Sequence, residues 1–170
     1  MSKKNLLILG GIMKWFYAFL MLLGRICIAA IFFTSGLNKF TNFDSNITYV
    51  ASKGLPFPSI MLTIAGILEI IGALSVIFGI RAKIGAIILL ITLIPATILF
   101  HDFWNIADST QRTMQMIHFF KNISIFGGLL YIICCGAGKF GFDCNHCHQH
   151  FADQCPACGG EIKDTVHPHK

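Results

Sequence analysis

Four cysteines near the carboxyl end of the chain are spaced like metal ligands. Cys144 and Cys147 form one Cys-x2-Cys pair, and Cys155 and Cys158 form a second pair seven residues later. Four thiolates at this spacing can surround one Zn²⁺ ion as a tetrahedron. The pattern therefore predicts a structural zinc site. Iron in a rubredoxin-like site is the alternative, and three nearby histidines add further candidate ligands: His146, His148 and His150.

Two charged residues interrupt long apolar segments. Arg25 lies within "MLLGRICIAAIFF" and Glu69 within "IAGILEIIGALS". An ionised group inside a bilayer must face other helices, pair with an opposite charge, or meet water. Arg25 is therefore the expected partner of Glu69. Two interpretations stay open: a buried ion pair that fixes the order of the helices, or a polar site for a proton, a quinone or another small redox molecule.

A second group of polar residues is expected at one membrane face. Lys39 ends the first apolar segment, His101 follows the third, and Lys121 and Asn122 open the fourth. His101 is the most informative, because an imidazole can donate, accept and titrate near neutral pH. Trp104 and Phe103 fit ordinary anchors at the membrane interface.

The composition indicates a membrane protein. Of 170 residues, 55% are hydrophobic and 12% are charged, about half the charged fraction of a soluble domain. The mean hydropathy is +0.69. The net charge is +5, but the basic residues are scattered, so no nucleic-acid surface is predicted. Membrane lipid is the expected partner.

Four apolar segments predict an all-α bundle of four transmembrane helices. Each is long enough to cross a bilayer, with tilt where it is longer. The predicted spans are 14–40, 59–80, 84–100 and 119–135. Residues 1–143 are then the membrane domain, and residues 144–170 are a small zinc-ribbon-like tail.

The connections add detail to this architecture. Only "RAK" (81–83) joins the second and third spans, so these helices must be antiparallel neighbours. In the loop 41–58, a short interfacial helix is expected, with Ile47, Val50 and Ala51 facing the membrane. Basic residues are more frequent on the side that carries both termini, which predicts cytoplasmic termini. Reducing conditions there keep the tail cysteines available as ligands.

Taken in order, several segments resemble the DoxX family of small four-span bacterial inner-membrane proteins. They are "GRICIAAIFFTSGLNKF", "ASKGLPFP", "LEIIGALSVIFGIRAKIGAIIL", "ATILFHDFW", "FFKNISIFGGLLY" and "GAGKFGFD". The resemblance implies a membrane four-helix bundle. It also implies that five residues occupy the polar motif positions of the family: Arg25, Lys39, Glu69, His101 and Asn122. Some relatives in that family take part in quinone or thiol redox chemistry, and the cysteine tail departs from the usual family pattern.

Three functions compete at this stage. The first is a redox-associated membrane subunit that handles a quinone or a small sulfur species. Since the sequence carries no flavin, haem or iron–sulfur motif, its electrons would need a partner subunit. The second is a non-catalytic scaffold that docks a cytoplasmic partner through the zinc tail, and the third is a small transporter or metal-handling protein. A homo-oligomer is compatible with each of them.

Overall fold

A computed structural model describes residues 3–138 and 140–142 of the chain. The four cysteines of the predicted zinc site, Cys144, Cys147, Cys155 and Cys158, lie outside the described residues.

The described chain is helical. Its five α-helices are α1 (Lys3–Thr41), α2 (Phe43–Ser52), α3 (Pro58–Phe78), α4 (Ala82–Phe100) and α5 (Ser109–Cys135), with a 3₁₀ turn at Phe103–Asn105. Within the described residues, four segments are long and apolar enough to cross a membrane: Trp15–Thr41, Pro58–Phe78, Ala82–Asn105 and Ser109–Cys135. The predicted all-α bundle with four candidate spans is therefore confirmed.

Two helices begin earlier than expected. Helix α1 starts at Lys3, and α5 starts at Ser109 rather than at residue 119. The first residues of α5, 109–113, are polar, which resembled a loop in the sequence. Asp108 nonetheless caps this helix, because its carboxylate accepts a hydrogen bond from the Gln111 amide at 2.8 Å.

The short helix expected in the first long loop is present as α2, but part of its apolar face packs against the bundle. Val50 is buried, whereas Ala51 is exposed. Helix α2 packs on α3, so Val50 serves the bundle instead of anchoring in lipid.

Glycines bring the membrane helices into close contact. Helices α1 and α3 approach at Gly36 and Gly66, where a Cβ atom on Gly36 would lie 3.0 Å from the Gly66 carbonyl oxygen. Helices α3 and α4 approach in the same way at Gly72 and Gly85. Small residues at membrane helix contacts allow backbones to come close, which strengthens van der Waals packing.

The core lies between α1, α3, α4 and α5. Its centre includes Ala29, Val76, Leu89 and Leu129, all fully buried. Large apolar side chains such as Ile64, Ile91 and Ile98 are more than half exposed on the outside of the bundle. This distribution suits a protein whose outer surface is solvated by lipid chains.

Candidate functional site

The centre of the candidate site is an ion pair between α1 and α3. The Lys39 ammonium group donates a hydrogen bond of 2.7 Å to Glu69 Oε2 and a second one of 2.9 Å to Ser35 Oγ. The exposed fractions of the two charged side chains are 20% for Lys39 and 8% for Glu69. The pair therefore balances two opposite charges within the apolar bundle.

The predicted partnership of Arg25 with Glu69 is wrong. Arg25 and Lys39 are fourteen positions apart on the same helix, which separates them by about 21 Å along its axis. Helices α1 and α3 run antiparallel, so Lys39 lies opposite Glu69, and Arg25 lies opposite Gly79 at the other end of α3.

Arg25 is therefore not part of this site. Its side chain is only 3% exposed, beneath the turn that contains Gly79 and next to Gly141. Its three guanidinium nitrogens have no hydrogen-bond partner among the described residues. Gly79 has a φ of +69°, and a Cβ atom there would collide with the guanidinium group. Glycine is thus required at this turn for two independent reasons.

His101 lies at the end of the bundle that carries α2, which we call the α2 end. Its Nδ1 lies 2.7 Å from Gln115 Oε1. Since an amide oxygen can only accept, His101 Nδ1 donates this hydrogen bond. The His101 ring stacks on His118 at 5.4 Å between centroids, and His118 Nδ1 accepts a hydrogen bond of 3.3 Å from Lys121.

Asn122 joins α4 and α5 within the bundle. Its amide group donates a hydrogen bond of 3.0 Å to Thr97 Oγ1, and the Thr97 hydroxyl donates to the Leu93 carbonyl at 2.7 Å. Both side chains are buried. Asn122 therefore has a clear structural role, and it also presents a polar group next to the ion pair.

The ion pair, His101 and Asn122 line a polar cavity of about 250 Å³, which has room for a small molecule or several waters. Its polar wall includes Ser35, Lys39, Glu69, His101, Lys121 and Asn122. Four of the five predicted site residues thus line one cavity, with Arg25 as the exception. A carboxyl group, an amine and an imidazole that line one cavity are groups that can serve in proton transfer to or from a bound molecule.

A second, larger cavity begins on the other side of the ion pair. It measures about 430 Å³, lies between α2, α3 and α4, and has almost entirely apolar walls. Lys39 and Glu69 line both cavities, as do Ala96 and Phe100. The ion pair therefore lies at the boundary between a polar and an apolar space.

Contacts between the α2 region and the end of α4 cover the α2 end of the bundle. Lys53 and Asp102 form an ion pair of 2.7 Å that joins the α2–α3 loop to the segment after α4. Tyr49 stacks on Phe100 at 5.5 Å between ring centroids. These contacts hold α2 over the apolar cavity.

Several site residues were not predicted from the sequence: Ser35, Tyr49, Thr97, Gln115 and His118. A helical spacing could have revealed some of them. Ser35 precedes Lys39 by four residues, and Gln115, His118 and Asn122 follow one another at intervals of three and four. This spacing places side chains on one helix face.

The fold and the site define an integral membrane protein of four spans with a polar cavity inside the bundle. The sequence matches the DoxX family over residues 20–102, which contain α2, α3, α4 and most of the span in α1. The chain belongs to the DoxX family. It is a multi-pass protein of the inner membrane.

Similar proteins extend the match beyond that region. The Escherichia coli inner membrane protein YqjF is 30% identical over 122 residues, which are 72% of this chain and 88% of that protein. The inner membrane protein YphA, also from E. coli, is 29% identical over 124 residues, or 73% and 88% of the two chains. The putative oxidoreductase CatD of Bacillus subtilis is 38% identical over 77 residues, covering 45% of this chain and 56% of CatD. No solved structure matches the chain.

Proposed function

We propose that this protein is a redox-associated subunit of the bacterial inner membrane that binds a quinone or a small sulfur species. The main support for the proposal is the Lys39–Glu69 ion pair. It lines a polar cavity together with His101 and Asn122. A buried ion pair is costly to desolvate, so an ion pair that lines a cavity suggests a binding role.

The chemistry of the cavity suits a molecule that gains or loses protons as it is reduced or oxidised. A quinone takes up two protons and two electrons when it becomes a quinol. Glu69 and the Lys39 ammonium group would exchange the protons, and His101 Nε2 would connect them to water at the α2 end. The electrons would come from a partner subunit. The name of CatD, a putative oxidoreductase, supports the same class of function.

The test compares ligand binding by matched carboxylate variants. The probes are a water-soluble benzoquinone and thiosulfate, titrated against the purified full chain in detergent. Glu69→Gln keeps the shape of the side chain and removes its charge, and we expect at least a tenfold loss of affinity for the bound probe. His101→Ala should weaken binding less, because water can take the place of its ring. Asp44→Asn on the exposed face of α2 is the control and should bind normally.

Two outcomes would contradict the proposal. The first is that neither probe binds the wild-type protein. The second is that Glu69→Gln binds as tightly as the wild type, which would make the ion pair purely structural and favour the non-catalytic scaffold.

The tail adds a second proposal. We propose that Cys144, Cys147, Cys155 and Cys158 hold one structural zinc ion, supported by their spacing. We also propose that both termini are cytoplasmic, supported by the bias of basic residues towards that side. A tail in the reducing cytoplasm would keep its thiolates free for metal and could dock a soluble partner.

A further inference from the structure

The apolar cavity has no role in the chemistry described above, yet it is the larger of the two cavities. Most of its walls come from three helices, among them Val50 on α2, Ala65 and Leu68 on α3, and Leu99 on α4. A volume of about 430 Å³ lies in the usual range for small-molecule sites. A largely apolar space of this size is suited to a hydrocarbon group.

The local sequence explains why this space is not filled by the helices themselves. Ala65 on α3 and Ala96 on α4 both line it, and neither side chain extends beyond Cβ. Pro95, which directly precedes Ala96 within α4, also lines the cavity. Because proline has no backbone N–H, it cannot donate to the Ile91 carbonyl one turn earlier, which loosens the helix at this point.

The cavity borders both the lipid and the polar site. Met61, Ile64 and Ile91 line it and are 42%, 53% and 60% exposed on the outside of the bundle. At its inner end it reaches the Lys39–Glu69 pair, where the opposite charges cancel. This boundary favours a neutral polar group with hydrogen-bond acceptors, rather than a phosphate or a sulfur oxyanion.

We propose that the apolar cavity holds the isoprenoid chain of a membrane-dissolved prenylquinone, whose ring lies against Lys39 and Glu69. The inference rests on the proposed function and selects between its two ligand classes. The quinone enters sideways from the bilayer between α3 and α4. Its ring carbonyl accepts a hydrogen bond from the Lys39 ammonium group, and its isoprenoid chain lies along Ala65 and Leu68.

The test separates the contribution of the isoprenoid chain to binding from that of the quinone ring. One probe is a ubiquinone ring without an isoprenoid chain, and the other is the same ring with two isoprene units. Each is titrated against the purified protein in detergent. We expect the wild type to bind the prenylated probe at least tenfold more tightly. Ala65→Leu fills the apolar cavity without touching the polar one. It should remove most of that preference and leave the affinity for the chainless probe within twofold.

A matched control accounts for general effects of added bulk and of detergent partitioning. Ala30→Leu makes the same change on an exposed face of α1 outside both cavities and should keep the wild-type preference. Leu99→Phe, on the opposite wall of the apolar cavity, is the second filling variant if Ala65→Leu does not fold.

The outcomes are distinguishable. Equal affinity of the wild type for the two probes, or an unchanged preference in the filling variants, would overturn this inference and leave the proposed function standing. Binding of neither probe would overturn the inference, and thiosulfate binding would then preserve the proposed function. Native mass spectrometry of the purified protein provides a further check: a bound phospholipid that the prenylated probe does not displace would also overturn the inference.

Discussion

At the scale of single residues, the position of Lys39 determines which positive charge pairs with Glu69. The two charges form a hydrogen-bonded pair of 2.7 Å, whereas Arg25 lies at the other end of the bundle. Removing one member of a buried pair leaves the other charge without compensation. Removing both members avoids this cost.

A double-mutant cycle tests this pairing. Lys39→Met and Glu69→Leu should each destabilise the bundle by about 3–5 kcal/mol, and the double variant should recover much of that loss. The combination of Arg25→Leu with Glu69→Leu should be additive within about 0.5 kcal/mol, because the two sites are far apart. The measurement is the free energy of unfolding in mixed detergent micelles. Strong coupling between Arg25 and Glu69 would contradict the structure.

At the scale of helices, contact between α1 and α3 positions the ion pair. Gly36 is one turn before Lys39, and Gly66 is one turn before Glu69. A Cβ atom on Gly36 would lie 2.7 Å from Ile70 Cγ1 and 3.0 Å from the Gly66 carbonyl oxygen. Any side chain at this position must therefore push α1 away from α3.

Two glycine substitutions in α1 distinguish packing from helix propensity. Gly36→Ala should destabilise the bundle by about 1–3 kcal/mol, because extra volume in a close contact forces the helices apart. Gly24→Ala is the control, since no other packing atom among the described residues lies within 4 Å of its added Cβ. That change should be neutral or stabilise the helix by up to about 1 kcal/mol. Equal effects of the two substitutions on thermal unfolding would show that the close contact has no energetic weight.

At the scale of the whole molecule, the chain combines a membrane bundle with a cysteine-rich tail. The bundle buries its own core between α1, α3, α4 and α5, and its helices are stabilised in lipid by internal backbone hydrogen bonds. The stability of the bundle should therefore not depend on metal in the tail.

Metal analysis of the purified protein tests this separation. We expect one zinc ion per chain, lost in the double variant Cys155→Ser, Cys158→Ser, with little change in the thermal stability of the bundle. Cys134→Ser, at the end of α5, is the control and should keep the metal. Full metal content in the double variant would assign the ion to the histidines, and iron in place of zinc would favour the rubredoxin-like alternative.

Much of the candidate site was predictable, because burying a charge is costly and few ionisable residues therefore occur in apolar segments. In an apolar segment, Glu69 and Arg25 stand out from the sequence alone. Lys39 and His101 were predictable as neighbours because they lie at the ends of spans, where the number of spans determines which ends share a membrane face. Asn122 was predicted beside them because the fourth span was expected to begin at residue 119, although Asn122 lies in the middle of α5. Ser35 and Gln115 share a helix face with other site residues, but their hydrogen-bond partners were not predictable, because these depend on which neighbour lies within 3 Å.

The sequence by itself determined the helical membrane fold, the antiparallel neighbours α3 and α4, and the polar group at one face. Each follows from local properties: runs of apolar residues long enough to span a bilayer, and a connection too short for any other arrangement. The tertiary structure alone decided that Lys39, and not Arg25, is the partner of Glu69. That choice depends on the axial register of α1 against α3, which is set where Gly36 meets Gly66. The two cavities depend on the same helix contacts, because an empty volume is defined by the side chains around it and no single segment encodes it.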